Sequence, residues 1–271
     1  MNNYEQNQSN NISKESQKFK DSTIFEGMTS ISAVINSAAF NNRTIKKVLF
    51  DQSNEKNISK KLSYLRHKAE EMNFELVSVS REEIDNITIG SSHGGIIAMC
   101  SDRTIPRISE DDLADKGFYV MLEGIEDPYN FGYALRSLYA AGVDGIILSK
   151  RNWMTAAGVV CRASAGASEL LPMYIDEYGD SVDILKNLGY KIICAGIRDS
   201  VSFYDADLRK PLYLIIGGEK RGISAATLAK SDQIVRIDYA SDFNGSLSAA
   251  SSATVLGFEV MRQNKIAENF T

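Results

Sequence analysis

From Gly117 to the end of the chain, short apolar runs alternate with loops and amphipathic stretches, and this alternation restricts the fold more than any other feature. Residues 118–122, 145–148, 192–195, 212–216 and 234–237 read as strands, with helices expected over about 131–142, 180–188, 224–230 and 246–262. Strands that are apolar along their whole length are buried on both faces. Strand–helix alternation of this kind builds a mostly parallel sheet covered on both sides.

The preceding residues, 21–107, read as a separate and smaller α/β unit. Val48-Leu49-Phe50, 75–79 and 96–100 are strand-like, and Ile58, Leu62, Leu65, Ala69 and Met72 recur at helical spacing to make one apolar face. The acidic stretch 108–116 follows Pro106 and reads as a linker to the larger unit at 117–271. A length of 271 residues is comfortable for two domains. Residues 1–20 are almost wholly polar, so they are expected to be a disordered tail without the apolar core of a secretion signal. No apolar run approaches the ~18–20 residues that a membrane span needs, so no membrane partner is expected.

Charge and cysteine usage narrow the function class. The net charge is −5, yet residues 43–68 hold eight basic side chains (Arg43, Lys46, Lys47, Lys56, Lys60, Lys61, Arg66, Lys68) against two acidic ones. Phosphate binding depends on such local patches more than on the total. The helix bearing Lys60, Lys61, Tyr64, His67 and Lys68 therefore reads either as a solvated face or as an RNA-facing patch. Three well-separated cysteines form no CxxC pair, which indicates neither a disulfide framework nor a zinc site and places the chain in the cytoplasm. With two histidines and no ligand cluster, no metal is expected.

Three segments of the larger unit carry chemistry-bearing residues. In the first, Glu123 to Arg136, a strand ends, Asp127-Pro128 turns the chain, and a helix begins near Phe131 with Asn130 where a cap would stand. Arg136 lies off that helix's apolar stripe and can point toward a cleft at the carboxyl edge of the sheet, where open α/β folds bind ligands. Read alone, the segment is equally a capped helix with a surface arginine. In the second, Leu214 to Ser224, a buried strand runs into Gly217-Gly218-Glu219 and Gly222. Glycines there allow close backbone approach to a ligand. Ile223 stands where a P-loop needs lysine, which excludes nucleoside triphosphate hydrolysis, and there is no GxGxxG for a nicotinamide. In the third, Ile234 to Ile237 leads to Gly245-Ser246-Leu247-Ser248-Ala249-Ala250, a small-residue helix start with free N–H groups and a positive dipole end. A tightly packed core helix would look the same.

Taken in order, these segments closely resemble motifs 1, 2 and 3 of the SpoU/TrmH family of RNA 2′-O-ribose methyltransferases. Asn130, Gly132 and Arg136 match the first motif; Gly217, Glu219 and Gly222 match the second. Ser246-Leu247-Ser248 stands for the serine-leucine-asparagine of the third. Ala163 to Glu169 resembles the family's segment between motifs 1 and 2. Phe25-Glu26-Gly27 and His93-Gly94-Gly95-Ile96 resemble the RNA substrate-binding domain that often precedes the motifs. The resemblance implies an α/β fold whose C-terminal parallel-sheet domain carries a trefoil knot. It implies S-adenosylmethionine as cofactor, held by backbone near Gly217, Gly218, Ile237 and Leu247. It also implies a homodimer through the knot domain, and structured RNA, rRNA in preference to tRNA, as substrate. Catalytic roles fall to Asn130, Arg136, Glu219, Ser246 and Ser248, with Arg136 and Asn130 near the target ribose, partly from the partner subunit, and Glu219 orienting Asn130 or Arg136. Two positions depart from the family: Ser248 replaces an asparagine, and Asp238 replaces the proline usual after Ile237. They leave open a second reading, an RNA-binding protein on the same fold with weak or no methyl transfer.

Overall fold

The computed structural model describes residues 23–37, 41–89, 93–149 and 156–268. The tail expected over 1–20 lies outside the described residues. The chain divides into two compact units.

The first unit contains β1 (Ile24–Glu26), α1 (Gly27–Asn36), β2 (Ile45–Asp51), α2 (Ser59–Met72), β3 (Glu75–Val79), α3 (Arg81–Ile87) and β4 (Ile96–Cys100). Its four strands lie in the order β1-β4-β2-β3, antiparallel except for β2 with β3. The predicted apolar face of α2 is real: Ile58, Leu62 and Leu65 are buried, and Ala69 and Met72 pack against the same core as Phe25, Val48 and Phe50. Ser80 caps α3 and exchanges reciprocal bonds with Glu83, which satisfies two helix-start donors at once.

The same unit gains two helices from a distant part of the sequence, α5 (Ala157–Ala163) and α6 (Ala167–Leu170). This departs from a division that keeps everything after Gly117 in one domain. The cause is packing and charge. Gly158 lets α5 approach β1 so closely that a Cβ would lie 1.9 Å from the Ile24 carbonyl oxygen. Cys161 joins the first unit's core. Arg162 pairs with the buried Glu26, and the buried Arg43 meets Glu169 at 2.9 Å.

The second unit contains β5 (Phe118–Glu123), α4 (Pro128–Ala140), β6 (Gly145–Ser149), β7 (Met173–Asp176), α7 (Ser181–Asn187), β8 (Lys191–Ala195), β9 (Val201–Ser202), β10 (Leu212–Gly217), α8 (Ala225–Lys230), β11 (Gln233–Arg236) and α9 (Ala249–Glu268). Its seven strands are ordered β7-β6-β5-β10-β8-β11-β9, every neighbouring pair parallel. The expected linker is docked on this unit rather than free. Ile108 is buried in its core, and its N–H donates to the Ile175 carbonyl at 3.0 Å. The Tyr119 hydroxyl accepts from Ala114 N–H at 3.0 Å, that of Tyr190 accepts from Gly117 N–H at 3.0 Å, and that of Tyr174 donates to the Asp112 carbonyl at 3.2 Å.

Helix α9 packs beside α4, and its last turns are tied to the 206–210 segment by side-chain amides. Leu208 N–H donates to Gln263 Oε1 at 2.8 Å, and Lys210 N–H donates to Asn264 Oδ1 at 3.0 Å. No described helix is long and apolar enough to cross a membrane.

Candidate active site

The strand order locates the site. From β5 the chain builds outward on one side through β6 and β7, then crosses to the other side, where β10 comes to lie directly against β5. Ligands of open parallel sheets bind outside the carboxyl ends of the strands, where the order reverses. At that reversal the loop after β5 meets the loop after β10. Gly218 N–H donates to the Glu123 carbonyl at 2.6 Å. A Cβ on Gly218 would fall 2.3 Å from the carbonyl oxygen of Gly124, which itself has φ +77°.

The loop after β10 also folds on itself. Gly222, with φ +62°, donates its N–H to the Gly218 carbonyl at 2.9 Å, and a Cβ on Gly217 would lie 2.5 Å from the Gly222 carbonyl carbon. The space beside the α-carbons of Gly217 and Gly218 is thus taken by the chain's own backbone. Loop-on-loop packing therefore requires glycine at both positions. Ser224 then caps α8, accepting from Thr227 N–H at 3.2 Å.

The start of α4 differs from expectation in a useful way. Asp127, not Asn130, is the cap: its carboxylate accepts from Asn130 N–H at 2.7 Å, and Pro128 fills the first helical position, where no N–H is needed. The Asn130 side chain is therefore free of capping duty and donates from Nδ2 to Glu219 Oε1 at 3.3 Å. Of the two partners considered for Glu219, the fold brings it Asn130.

Arg136 is not brought to this pair. It lies six residues further along α4, about 9 Å down the axis and about 240° around it. It is exposed and makes no hydrogen bond or ion pair with any described residue.

The third segment enters from β11. Asp238 accepts from Arg236 Nε at 2.8 Å, and Arg236 Nη1 donates to the Ser200 carbonyl at 2.7 Å. A hydrogen bond from the Ser202 hydroxyl and the Arg236 guanidinium hold the Asp238 carboxyl below the usual carboxylate range. The charge that replaces the family's proline is thus matched locally. Ser248 caps α9, accepting from Ser251 N–H at 3.1 Å. Serine and asparagine are both among the best caps, so an asparagine at this position could serve the same local duty. Leu247 N–H donates to the Tyr239 hydroxyl at 3.0 Å. Ser246 is exposed.

Sequence reasoning passed over Glu123. It ends β5, and its Oε1 accepts from Ser224 N–H at 3.3 Å, while its Oε2 is buried without a hydrogen-bond partner. Burial pushes its carboxyl above the usual range. The signal available was the last residue of a buried strand, a common place for a functional carboxylate. Among the described residues, no group of three His, Cys, Asp or Glu side chains could hold a metal ion.

Comparison with known proteins bears on this site. Residues 117–258 match the SpoU rRNA Methylase family. A Staphylococcus haemolyticus protein assigned to the TrmH family of tRNA/rRNA methyltransferases is 28% identical over 87% of this chain and 95% of its own. The 23S rRNA (guanosine-2′-O-)-methyltransferase RlmB of Shewanella oneidensis is 30% identical over 69% of this chain and 77% of its own. The fold matches an AdoMet-bound rRNA methyltransferase from Sinorhizobium meliloti with a TM-score of 0.75 at 21% identity, covering 91% of this chain and 93% of the other. It matches the SpoU methyltransferase AviRb from Streptomyces viridochromogenes, in complex with AdoMet, with a TM-score of 0.72 at 20% identity over 93% and 97%. A family match spanning more than half the chain, on the residues that meet at the sheet reversal, establishes that this protein belongs to the SpoU rRNA methylase family and is an RNA methyltransferase.

Proposed function

We propose that this protein transfers a methyl group from S-adenosylmethionine to a ribose 2′-hydroxyl of structured RNA, rRNA in preference to tRNA, in the cytoplasm. The observation that carries the reading is the Asn130–Glu219 hydrogen bond at the sheet reversal, which joins the first and second motifs. The 2′-O specificity follows the activity of the Shewanella relative.

The edge suits the cofactor chemically. It offers the partnerless buried oxygen of Glu123 and an exposed loop at 238–246 with few backbone bonds of its own. Such groups complement a ligand that carries both hydrogen-bond donors and acceptors. Gly217, Gly218, Ile237 and Leu247 would hold it through backbone groups, with α9 completing the knot behind them. When bound, S-adenosylmethionine supplies a methyl that is already a strong electrophile.

The chain's own part is alignment and charge. Asn130, oriented by Glu219, positions the ribose, and alignment alone supplies several kcal/mol. Ser246 and Ser248 shape the start of α9 beside it. Arg136 acts on the phosphate or the developing alkoxide. A guanidinium is a poor proton acceptor, so water or a phosphate oxygen takes the proton. Because Arg136 stands more than a turn and a half from Asn130 and on another side of α4, it serves the partner subunit's site. A homodimer through α4 and α9 makes this possible. Tyr133, Tyr139 and Phe258 are 49%, 47% and 41% exposed on these two packed helices, apolar surface that a partner subunit would cover.

The first unit supplies RNA affinity. Half of the basic patch read from sequence is already engaged: Arg43 is buried, while Lys47, Arg66 and Lys68 pair with Glu75, Glu55 and Glu71. The side chains of Lys46, Lys56, Lys60 and Lys61 make no ion pair or hydrogen bond with described residues, and the exposed Tyr64 and His67 share α2 with Lys60 and Lys61. Free cations interleaved with an aromatic ring suit an RNA backbone.

The reading is tested by mapping 2′-O-methyl groups in rRNA from cells with and without the gene. One site should disappear and return on complementation. Identical maps, with a base methylation lost instead, would overturn it.

A further inference from the structure

One side-chain hydroxyl closes the loop that joins β11 to α9. Residues 238–246 are exposed throughout. Among the described residues, the loop's backbone forms one internal hydrogen bond, from Phe243 N–H to the Ser241 carbonyl at 2.8 Å. Side chains do the rest. The Tyr239 hydroxyl accepts from Leu247 N–H at 3.0 Å, and the Tyr239 ring lies 5.8 Å from that of Phe243 at a tilt of 54°. Gly245 makes room for this arrangement, since a Cβ there would fall 2.4 Å from Phe243 Cζ. The loop is therefore pinched between Tyr239 and Leu247.

The pinch is weak by construction. Tyr239 is 37% and Phe243 56% exposed, so water competes for the hydroxyl and the rings bury little surface. A hydrogen bond in such a place favours the closed loop by only about threefold to tenfold and exchanges readily.

We propose that Tyr239 is a latch on the cofactor site: its hydroxyl occupies the Leu247 amide that S-adenosylmethionine uses, and the cofactor binds by displacing it. The inference rests on the reading that Leu247 backbone holds the cofactor. Adenine ring nitrogens are acceptors, and a backbone N–H is the donor that reads them. One amide proton serves one acceptor well, so Tyr239 and the adenine compete. Once released, the Tyr239 and Phe243 rings are free to stack over the bound adenosine. The apparent affinity of the closed protein is lowered by the fraction of molecules in which the amide is free.

The test uses the full chain. Calorimetry gives Kd for S-adenosylmethionine with wild type and Tyr239→Phe, and ¹⁵N NMR follows the Leu247 amide during titration. Tyr239→Phe keeps the ring and removes the competing acceptor. It should bind the cofactor about threefold to tenfold more tightly, the range of one net hydrogen bond. In wild type the Leu247 amide should shift on saturation. Equal or weaker binding by Tyr239→Phe overturns the latch. Should Tyr239→Phe fail to fold, the wild-type amide decides: a Leu247 signal unmoved at saturation overturns the latch as well. A folded wild type that binds no S-adenosylmethionine overturns the functional reading beneath it instead.

Discussion

Replacing Glu169 with alanine should destabilise the first unit by about 3–5 kcal/mol, the usual cost of stranding one member of a buried ion pair. Glu169 on α6 and Arg43 ahead of β2 are 3% and 1% exposed and meet at 2.9 Å. The guanidinium also donates to the Ser101 carbonyl at 2.7 Å and lies 4.7 Å over the Phe25 ring. Neither the carbonyl dipole nor the ring can replace a full negative charge in that setting. Glu169 further accepts from Asn41 Nδ2 at 3.3 Å, so the loss reaches a third side chain. With an unfolding entropy of about 0.25 kcal/mol/K for a unit of this size, the melting temperature should fall by about 10–20 °C. Calorimetry with circular dichroism at neutral pH reads the change directly. The double variant Arg43→Met, Glu169→Leu removes both charges and should recover most of the loss. A single variant costing less than about 1 kcal/mol would refute the account of what holds α5 and α6 to this unit. A fragment of residues 117–271 would carry both helices without their partners, so oligomeric state is best measured on the full chain.

Three further outcomes follow from the site. Gly218→Ala forces a Cβ to 2.3 Å from the Gly124 carbonyl; it should cost about 1–3 kcal/mol by overpacking and abolish cofactor binding in calorimetry. Ser248→Asn should keep the α9 cap and the melting temperature, whereas Ser248→Ala should lose about 0.5–2 kcal/mol. Changing Lys56, Lys60 and Lys61 together to glutamate should weaken RNA binding and flatten its salt dependence, with S-adenosylmethionine affinity unchanged.

The larger sheet was legible because its strands are unbroken apolar runs, buried on both faces as at Leu212 to Ile216. What escaped lacks that signature. β9 has two residues, and β7 is only partly buried, so neither carries a run long enough to read. Helices α5 and α6 are rich in Ala, Ser and Gly, with no helical stripe, and nothing in their sequence tells that α5 packs beside β1 and α6 beside α1. Arg43 looks like any other cation of its patch; burial against Glu169 is a tertiary fact. Asn130 was placed at the candidate site by motif, but its freedom from capping depends on Asp127 reaching forward three residues to the Asn130 N–H, a choice between two good caps that spacing alone does not make. Tyr239 sits in no motif, and its contact with Leu247 depends on how the intervening loop closes.

The central claim is methyl transfer to a ribose hydroxyl, and alkaline hydrolysis tests it most directly. Purified full-length protein is incubated with rRNA and methyl-labelled S-adenosylmethionine, and the RNA is then digested in base. A 2′-O-methyl group blocks cleavage of its own phosphodiester, so the label should appear in alkali-resistant dinucleotides. Arg136→Ala should lower that label by about 100-fold, the scale of one lost electrostatic donor, while binding the cofactor normally. Label recovered only in mononucleotides, on the base, would contradict the account.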